Sequence, residues 1–193
     1  MLKVVLLLAA LGMVVALLGV GCKATRAGYE SASYKVVRKA GRFEVRDYPV
    51  LTIVETPMAS GASDGSFNRL FRFITGRNSA SQKIAMTTPV FMSGRDTNAT
   101  MAFVMPARMT SGQVPKPTDD AVSVREIEAG RFAVFRYSGG RNQKKEAEAI
   151  AQLTSWMATE KLSTRSEPMF GYFDPPWTLA FLRRNEVMLR TLR

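Results

Sequence analysis

The side chains that commonly do chemistry in proteins are sparse in this 193-residue sequence. It contains no histidine and a single cysteine, Cys22, so neither a histidine-based catalytic triad nor a His/Cys metal cluster can be assembled. The acidic residues within regular segments show no spacing typical of an acid/base pair. They are Glu44, Asp47, Glu55, Asp64, Glu126, Glu128 and Glu186. With no motif marking a serine or lysine nucleophile either, the composition favours a binding protein over an enzyme.

A nine-residue match indicates how the rest of the chain is organised. Residues 40–48 (AGRFEVRDY) return 89 residues later as 129–137 (AGRFAVFRY), with six positions identical. Each copy follows an extended run and precedes a helix-periodic segment. We therefore expect two pseudo-symmetric halves, 34–106 and 121–193, joined by a linker at 107–120. Ligands often bind at the seam between such halves, although a chance match between two hairpin turns is the alternative.

Each half reads as strand, strand, helix, strand, strand. This pattern predicts an α+β domain with a strongly curved antiparallel sheet, or open distorted barrel, carrying two helices. In the second half, 121–128 is expected to pair with 131–137 around Ala129-Gly130. The last two strands are predicted at 169–173 and 178–185.

Both helices carry apolar residues at helical spacing. The stripe of the first helix consists of Phe67, Leu70, Phe71 and Ile74. Asp64 is the predicted N-cap of that helix, because its carboxylate can accept the free N–H groups of the first turn. The second helix is predicted over 142–161, with a buried stripe of Ala147, Ile150, Leu153, Trp156 and Met157. Either stripe is also what simple burial in a core would require.

The first 21 residues have the order of a secretory signal: Lys3 near the start, an apolar run over 4–20, and small residues ahead of Cys22. Cys22 lies where a bacterial lipoprotein is acylated, although the leucine of this lipobox-like segment stands four residues before the cysteine, not the usual three. An uncleaved anchor helix and ordinary secretion are the alternatives. We predict a lipid anchor at Cys22, a tether over 22–33 and a domain over 34–193, with a periplasm-facing location and the outer membrane mildly preferred.

The chain is strongly basic, with a net charge of +11. Removing the signal deletes Lys3 and no acidic residue, which leaves 26 basic and 16 acidic side chains, a net charge of +10. The basic residues are scattered, so anionic lipid, cell-wall polymer or a carboxylate-bearing ligand is expected more than nucleic acid. A solvated basic surface without a specific partner is the alternative. We expect the domain to be monomeric.

Three segments resemble the SOUL heme-binding family. Residues 83–90 (KIAMTTPV) are similar to the family's K-I-x-M-T-x-P-V strand, and 171–177 (GYFDPPW) with 183–187 (RRNEV) resemble its closing hairpin. The similarity runs from about Tyr29 to Leu192. It implies two pseudo-symmetric halves and reversible, non-enzymatic binding of heme or related tetrapyrroles. The gyrase-inhibitor-like effector domains, which bind bulky cationic compounds, share the implied architecture.

The resemblance also implies a site between the first helix and the loop that joins the last two strands. Carried onto this sequence, its residues are Phe67, Leu70, Phe71, Phe173, Pro175, Pro176, Trp177 and Thr178. Apolar side chains would hold the porphyrin plate, and Arg69 or Arg72 would meet its carboxylates at the rim. For Arg184 and Glu186 we expect a structural ion pair more than a ligand contact.

The lack of histidine bears directly on this expectation, because imidazole is the usual proximal ligand of heme iron. An axial bond would have to come from tyrosine or methionine, and methionines in such a core usually serve packing. The candidates are Met86, Met101, Met105, Met109, Tyr48, Tyr137 and Tyr172. We therefore expect heme to bind reversibly without a strong axial protein ligand. Two alternatives remain: a module for another amphiphile, lipid or cell-wall polymer, and heme chemistry such as ring cleavage.

Overall fold

Segments with alternating apolar residues form the nine β-strands of one curled antiparallel sheet in the described part of the chain, and two shorter strands, Glu30–Ser31 and Thr87–Thr88, form a separate parallel pair. The computed structural model describes residues 28–59, 65–94 and 98–192, and within them the predicted α+β fold is confirmed. The strands are β1 Glu30–Ser31, β2 Lys35–Ala40, β3 Phe43–Tyr48, β4 Leu51–Pro57, β5 Thr87–Thr88, β6 Val90–Ser93, β7 Thr100–Val104, β8 Ser123–Ile127, β9 Gly130–Tyr137, β10 Met169–Tyr172 and β11 Asn185–Arg190. The helices are α1 Ser66–Ile74 and α2 Gln143–Thr159.

The order of strands in the sheet is nearly a mirror image of itself. It runs β2-β3-β9-β11-β10-β6-β7-β4-β8. When β2 is left out and the order is read from both ends toward the centre, four pairs of equivalent strands result: β3 with β8, β9 with β4, β11 with β7, and β10 with β6. Each half then reads strand, strand, helix, strand, strand. The halves meet where β6 pairs antiparallel with β10, from Val90 opposite Tyr172 to Ser93 opposite Met169.

The nine-residue match does not join the strands that this symmetry relates. It aligns β3 with β9, which are hydrogen-bonded neighbours, whereas the topology relates β9 to β4. The predicted pairing of 121–128 with 131–137 is wrong, because β8 pairs with β4. Gly41 turns the chain between β2 and β3 with a φ of 59°, which glycine adopts at little cost. Gly130 instead begins β9. The chain does not make a hairpin there, because β8 pairs with β4 and β9 pairs with β3.

Helix α2 forms where it was predicted, with Asn142 as its N-cap. The Asn142 side chain accepts a 3.0 Å hydrogen bond from the Lys145 backbone N–H, which satisfies one free donor of the first turn. The helix packs on β9 and β11. Its buried residues are Ala149, Leu153 and Met157, with Ile150 and Trp156 half-buried. Ala147, predicted to be buried, is exposed on the flank of the helix.

Helix α1 packs on β4 and β7 and buries a different stripe from the predicted one. Its buried residues are Ser66, Leu70, Phe73 and Ile74, so Phe67 and Phe71 remain 44% and 45% exposed. The hydroxyl of the buried Ser66 donates a 3.6 Å hydrogen bond to the Met101 thioether below the helix. The predicted cap Asp64 lies outside the described residues, and Gly65 precedes the helix.

The two sheet faces have separate roles. On β6, Met92 belongs to the helix-bearing face and Phe91 to the opposite one, where it packs with Val134 and Met188.

Pro89 stands between β5 and β6, in keeping with its lack of an N–H for a central strand. The strand predicted over 178–185 is wrong: this stretch is a loop with a 3₁₀ turn, Ala180–Leu182, and β11 begins at Asn185.

A buried cluster of charges lies on the face opposite the helices. The predicted pair of Arg184 with Glu186 is present at 2.7 Å, and Arg46 from β3 joins it through bonds of 2.7 and 3.0 Å to Glu186. Arg46 also donates to Glu44 at 2.7 Å. Burial alone would raise the pKa of Glu186, but the hydrogen bonds and charge of Arg46, then Arg184, hold that pKa below its ordinary value.

This cluster predicts sensitivity to acid. The unfolded chain takes up a proton at Glu186 near the ordinary pKa of 4.5, above the pKa in the folded protein, so acid favours unfolding. Stability should be retained above pH 4.5 and decline as the pH falls below it, as followed by thermal melts. In Glu186→Gln, a less stable variant overall, the decline below pH 4.5 should be shallower. Parallel declines in both proteins would contradict the assignment.

Candidate ligand groove at the seam

A groove lies on the helix-bearing face at the seam between the halves, where β6 meets β10. Its volume is about 460 Å³, within the range of roughly 300–1,000 Å³ that is usual for small-molecule sites. Met92, Phe170 and Tyr172 from the two central strands line its floor. We call it the seam groove. It occupies the position that the pseudo-symmetry predicted for a ligand.

One wall of the seam groove comes from α2 and the other from the opposite half. The α2 wall consists of Gln143, Glu146, Ala147 and Ile150. Met58 and Ala99 line the other side, and Met58 belongs to the core cluster beneath α1. Arg141 and Glu167 place one charge of each sign at the margin. The groove therefore combines apolar side chains on its floor with polar and charged side chains on its walls and margin.

The polar part of the groove is centred on Tyr172. Its hydroxyl donates a 2.6 Å hydrogen bond to the Glu146 carboxylate, and the Arg141 guanidinium lies 3.6 Å from the same oxygen. Burial, then the neighbouring Tyr137 and the Glu146 carboxylate, raise the pKa of Tyr172 well above its ordinary value. Burial also raises the pKa of Tyr137 to about 12. Tyr172 is therefore a neutral phenol at physiological pH, held in place by Glu146.

The two predicted phenylalanines of α1 lie on the flank that faces this seam. Phe67 packs edge-on against Phe103 of β7 at 5.2 Å between ring centroids, and stacks with Phe71 at 5.9 Å. Arg69 reaches the other way, to Thr56 of β4 at 3.0 Å. Since β7 lies on the β6 side of β4 in the sheet, both phenyl rings lie on the β6 side of α1, but neither ring lines the groove. Leu70 has no exposed surface and supports the helix from below.

The predicted rim arginines belong to a different cleft. Arg69, Arg72 and Arg77 line a depression of about 310 Å³ together with Asp119 and Val122, on the β8 side of α1. The arginines and phenylalanines of α1 therefore flank opposite sides of the helix. They do not form one surface for a plate and its carboxylates. The cation at the seam groove is Arg141 instead.

The predicted loop residues are split between buried and exposed positions. Phe173 is buried beneath the Arg184 guanidinium, at 3.9 Å from ring centroid to Cζ, and Thr178 is also buried. Pro175 is half-buried, whereas Pro176 and Trp177 are exposed. Their assignment to a ligand stays a prediction.

The groove offers some apolar contact surface but poor ligands for a heme iron. Met92, Phe170 and Ile150 present apolar surface, and each large apolar side chain buried contributes about 1.5–3 kcal/mol. The available donors are the thioethers of Met58 and Met92 and the Tyr172 phenol. A tyrosine binds iron as phenolate, and the raised pKa of Tyr172 opposes that form. In the described part of the chain, no group of three His, Cys, Asp or Glu residues could hold a metal ion.

Sequence reasoning predicted a seam but not the cluster of Arg141 and Glu146 with Tyr172, which it named only as a candidate axial ligand. Arg141 and Glu146 carry no motif, and only the pairing of β6 with β10 beside α2 brings the three side chains together. The signal that could have found them is positional. Glu146 lies in the first turn of a helix that follows a central strand, and Tyr172 lies within the family-like segment 171–177.

Comparison with solved structures supports the fold. The C-terminal domain of EcmrR superposes with a TM-score of 0.57 at 10% identity, covering 83% of this chain and 98% of that one. A hydrolase from Listeria innocua gives 0.57 at 11% identity, covering 81% and 94%. An uncharacterized conserved protein from Listeria innocua gives 0.58 at 11%, covering 78% and 92%. At these identities the likeness shows the architecture alone.

Comparison of the sequence identifies the family. No curated protein matches the chain. The SOUL heme-binding protein family model matches residues 29–190, which agrees with the similarity seen in segments 83–90 and 171–187. Since this match spans most of the sequence, the protein belongs to the SOUL heme-binding family.

Proposed function

We propose that the protein binds heme or a related tetrapyrrole, without turning it over, in the seam groove. The observation that carries this proposal is the position of the groove at the pseudo-symmetric seam of a SOUL-family fold, with an apolar floor of Met92 and Phe170. Heme would supply a flat apolar plate with two carboxylates. Phe170, Ile150 and Met92 would hold the plate, and Phe67 and Phe71 would extend the apolar surface from α1.

The charged rim would set the orientation of the guest. Arg141 is the groove cation that can meet a porphyrin carboxylate, and an exposed ion pair contributes only about 0–1 kcal/mol. Affinity should therefore arise from contact with the plate. Because Tyr172 stays protonated on Glu146, the iron should add little to affinity, and selectivity over metal-free porphyrin should be weak.

Absorbance titration of the full chain tests this function. Hemin should produce a saturable Soret shift, and metal-free protoporphyrin IX should bind with a similar Kd. A linear, unsaturable change would refute tetrapyrrole binding. Binding of hemin alone, with a tyrosinate or thioether charge-transfer band, would refute the non-coordinating site.

One observation favours a second candidate, an amphiphilic cation. Glu146 and Glu167 place two carboxylates at the groove, against the single cation Arg141 among its described lining residues. A dianionic porphyrin meets repulsion there that a planar cation does not. Affinities for hemin and for a planar cationic dye such as rhodamine 6G therefore distinguish the two candidates.

Removing the Glu146 charge should shift these affinities in opposite directions. Glu146→Gln keeps an oxygen that accepts the Tyr172 hydroxyl and deletes one negative charge. Hemin should bind up to about fivefold more tightly, and the cationic dye should bind more weakly by a similar factor. The matched control is Glu148→Gln, an exposed change of equal charge outside the groove lining. Equal shifts in both variants would show that the groove does not hold the ligand.

We also propose that the protein works at the cell envelope. The support is the order of the first 22 residues, read as a signal followed by a lipid-modified Cys22, with 22–33 as tether. Within the described residues, no helix is both long and apolar enough to cross a bilayer. A monomeric domain on such a tether would buffer, carry or present its ligand at the membrane, with the outer membrane mildly favoured.

A further inference from the structure

The loop between β10 and β11 exposes three large apolar side chains. Trp177 is 78% exposed, Leu179 51% and Phe181 65%. They occupy alternate positions of one short stretch. Isolated apolar side chains are common on surfaces, but a group of three on one projection is typical of an interaction site.

Hydrogen bonds fix the backbone that presents these side chains. Arg183 donates from Nε to the Thr178 carbonyl at 2.7 Å and from Nη2 to the Pro176 carbonyl. At the base of the loop, the Arg184 N–H donates to the Asp174 carboxylate at 2.6 Å. The loop is thus an ordered projection.

The N-terminal part of the described chain lies at the same end of the sheet as this loop, where β10 ends and β6 begins. The Ala32 N–H donates to the Thr88 carbonyl at 2.8 Å, next to Pro89. A side-chain carbon at Gly171 would lie 3.2 Å from Pro89, so Pro89 adjoins β10, from which the loop departs. The Tyr34 hydroxyl accepts a 3.3 Å hydrogen bond from Arg184 at the base of the loop. Further toward the N-terminus, the Glu30 carboxylate accepts a 2.7 Å hydrogen bond from the Ala107 N–H, just beyond β7. The described chain therefore begins at the same end of the sheet as the loop, near Ala107.

We propose that this loop dips Trp177, Leu179 and Phe181 into the interfacial layer of the bilayer that holds the N-terminus. Tryptophan favours that layer, because its ring is apolar and its N–H is polar. The net charge of +10 that remains once the signal is removed adds attraction to anionic lipid. The N-terminal anchor and the loop would then both contact the membrane at the same end of the sheet, and together they would orient the domain. This inference rests on the proposed membrane attachment and is independent of tetrapyrrole binding.

The fluorescence of Trp177 can report the contact once Trp156 is replaced, because these are the two tryptophans of the chain. Trp156 is half-buried and stacks on Phe43 at 5.0 Å. The full-length Trp156→Phe protein is reconstituted into phosphatidylcholine/phosphatidylglycerol vesicles, and flotation establishes attachment. Trp177 emission should move to shorter wavelength, and lipids brominated near the headgroup should quench most of it. The control Trp177→Phe, which retains Trp156, should show neither change.

Each other outcome overturns the proposal in a recognisable way. If the protein floats with the vesicles and Trp177 is unquenched, the loop does not touch lipid although the anchor does. If the protein does not float, the proposed attachment fails and the loop contact fails with it. A lipid-free blue shift that grows with protein concentration would assign the projection to a second copy of the chain. Hemin titration of the same sample reports separately on the groove.

Discussion

Replacing Arg46 with alanine should lower the free energy of unfolding by about 3–5 kcal/mol, the usual cost of stranding a buried charge. The Arg46 guanidinium is 1% exposed, and Glu186 is fully buried. Arg46 donates two hydrogen bonds to Glu186 and one to Glu44. Without it, two carboxylates lose their principal partner inside the protein. Chemical denaturation monitored by circular dichroism measures the effect.

A matched control comes from another ion pair that involves β3. Arg131 on β9 also forms a two-bond contact with a carboxylate of β3, at 2.7 and 2.9 Å to Asp47, but there both partners are exposed. Arg131→Ala should leave stability nearly unchanged, because water solvates the freed carboxylate. Arg46→Lys should fall between wild type and alanine, since lysine keeps the charge without the planar fork. Equal losses for Arg46→Ala and Arg131→Ala would contradict the structural role of the cluster.

Filling the seam groove should weaken hemin binding at least tenfold, about 1.4 kcal/mol or more. Ala147 lies on the α2 wall of the groove and is exposed, so phenylalanine can be accommodated there without disturbing the core. Its ring would occupy the space beside Ile150 that the porphyrin plate needs. The Kd for hemin, measured by Soret titration, is the readout.

The control is Ala158→Phe, an exposed position about three turns further along α2. It adds the same ring to the same helix outside the groove lining and should leave the Kd unchanged. Thermal melts of both variants check folding. An unchanged hemin Kd in Ala147→Phe would place the ligand elsewhere on the protein.

The fold class could be predicted because it depends on distributed patterns. Alternating strands, two helix-periodic segments and the family-like residues 83–90 all point to the same architecture. The match between 40–48 and 129–137 correctly predicted two related halves. The strands that carry the match, β3 and β9, are nevertheless not related by the symmetry of the sheet. Short strand segments such as 40–48 and 129–137 share the alternation of a strand, so their likeness carries no information about which partner each one takes.

The candidate site was predictable in position and less so in detail. For α1, the sets 67/70/71/74 and 66/70/73/74 both fit helical periodicity, and the choice depends on the sheet beneath. Sequence periodicity favoured Phe67 and Phe71, but packing on Met101 and Phe103 buried Ser66 and Phe73 instead. The loop 173–184 was misread over 178–185, because its alternating apolar residues imitate a strand while Arg183 ties the backbone into a loop.

The most direct test of the central proposal is to locate a bound porphyrin by NMR. With methyl-labelled methionines and metal-free protoporphyrin IX, nuclear Overhauser effects should join the porphyrin to the Met58 and Met92 methyls, which line the seam groove. The Met188 methyl, on the opposite face of the sheet, should show none. Saturable binding without contacts to Met58 or Met92 would contradict the proposed groove.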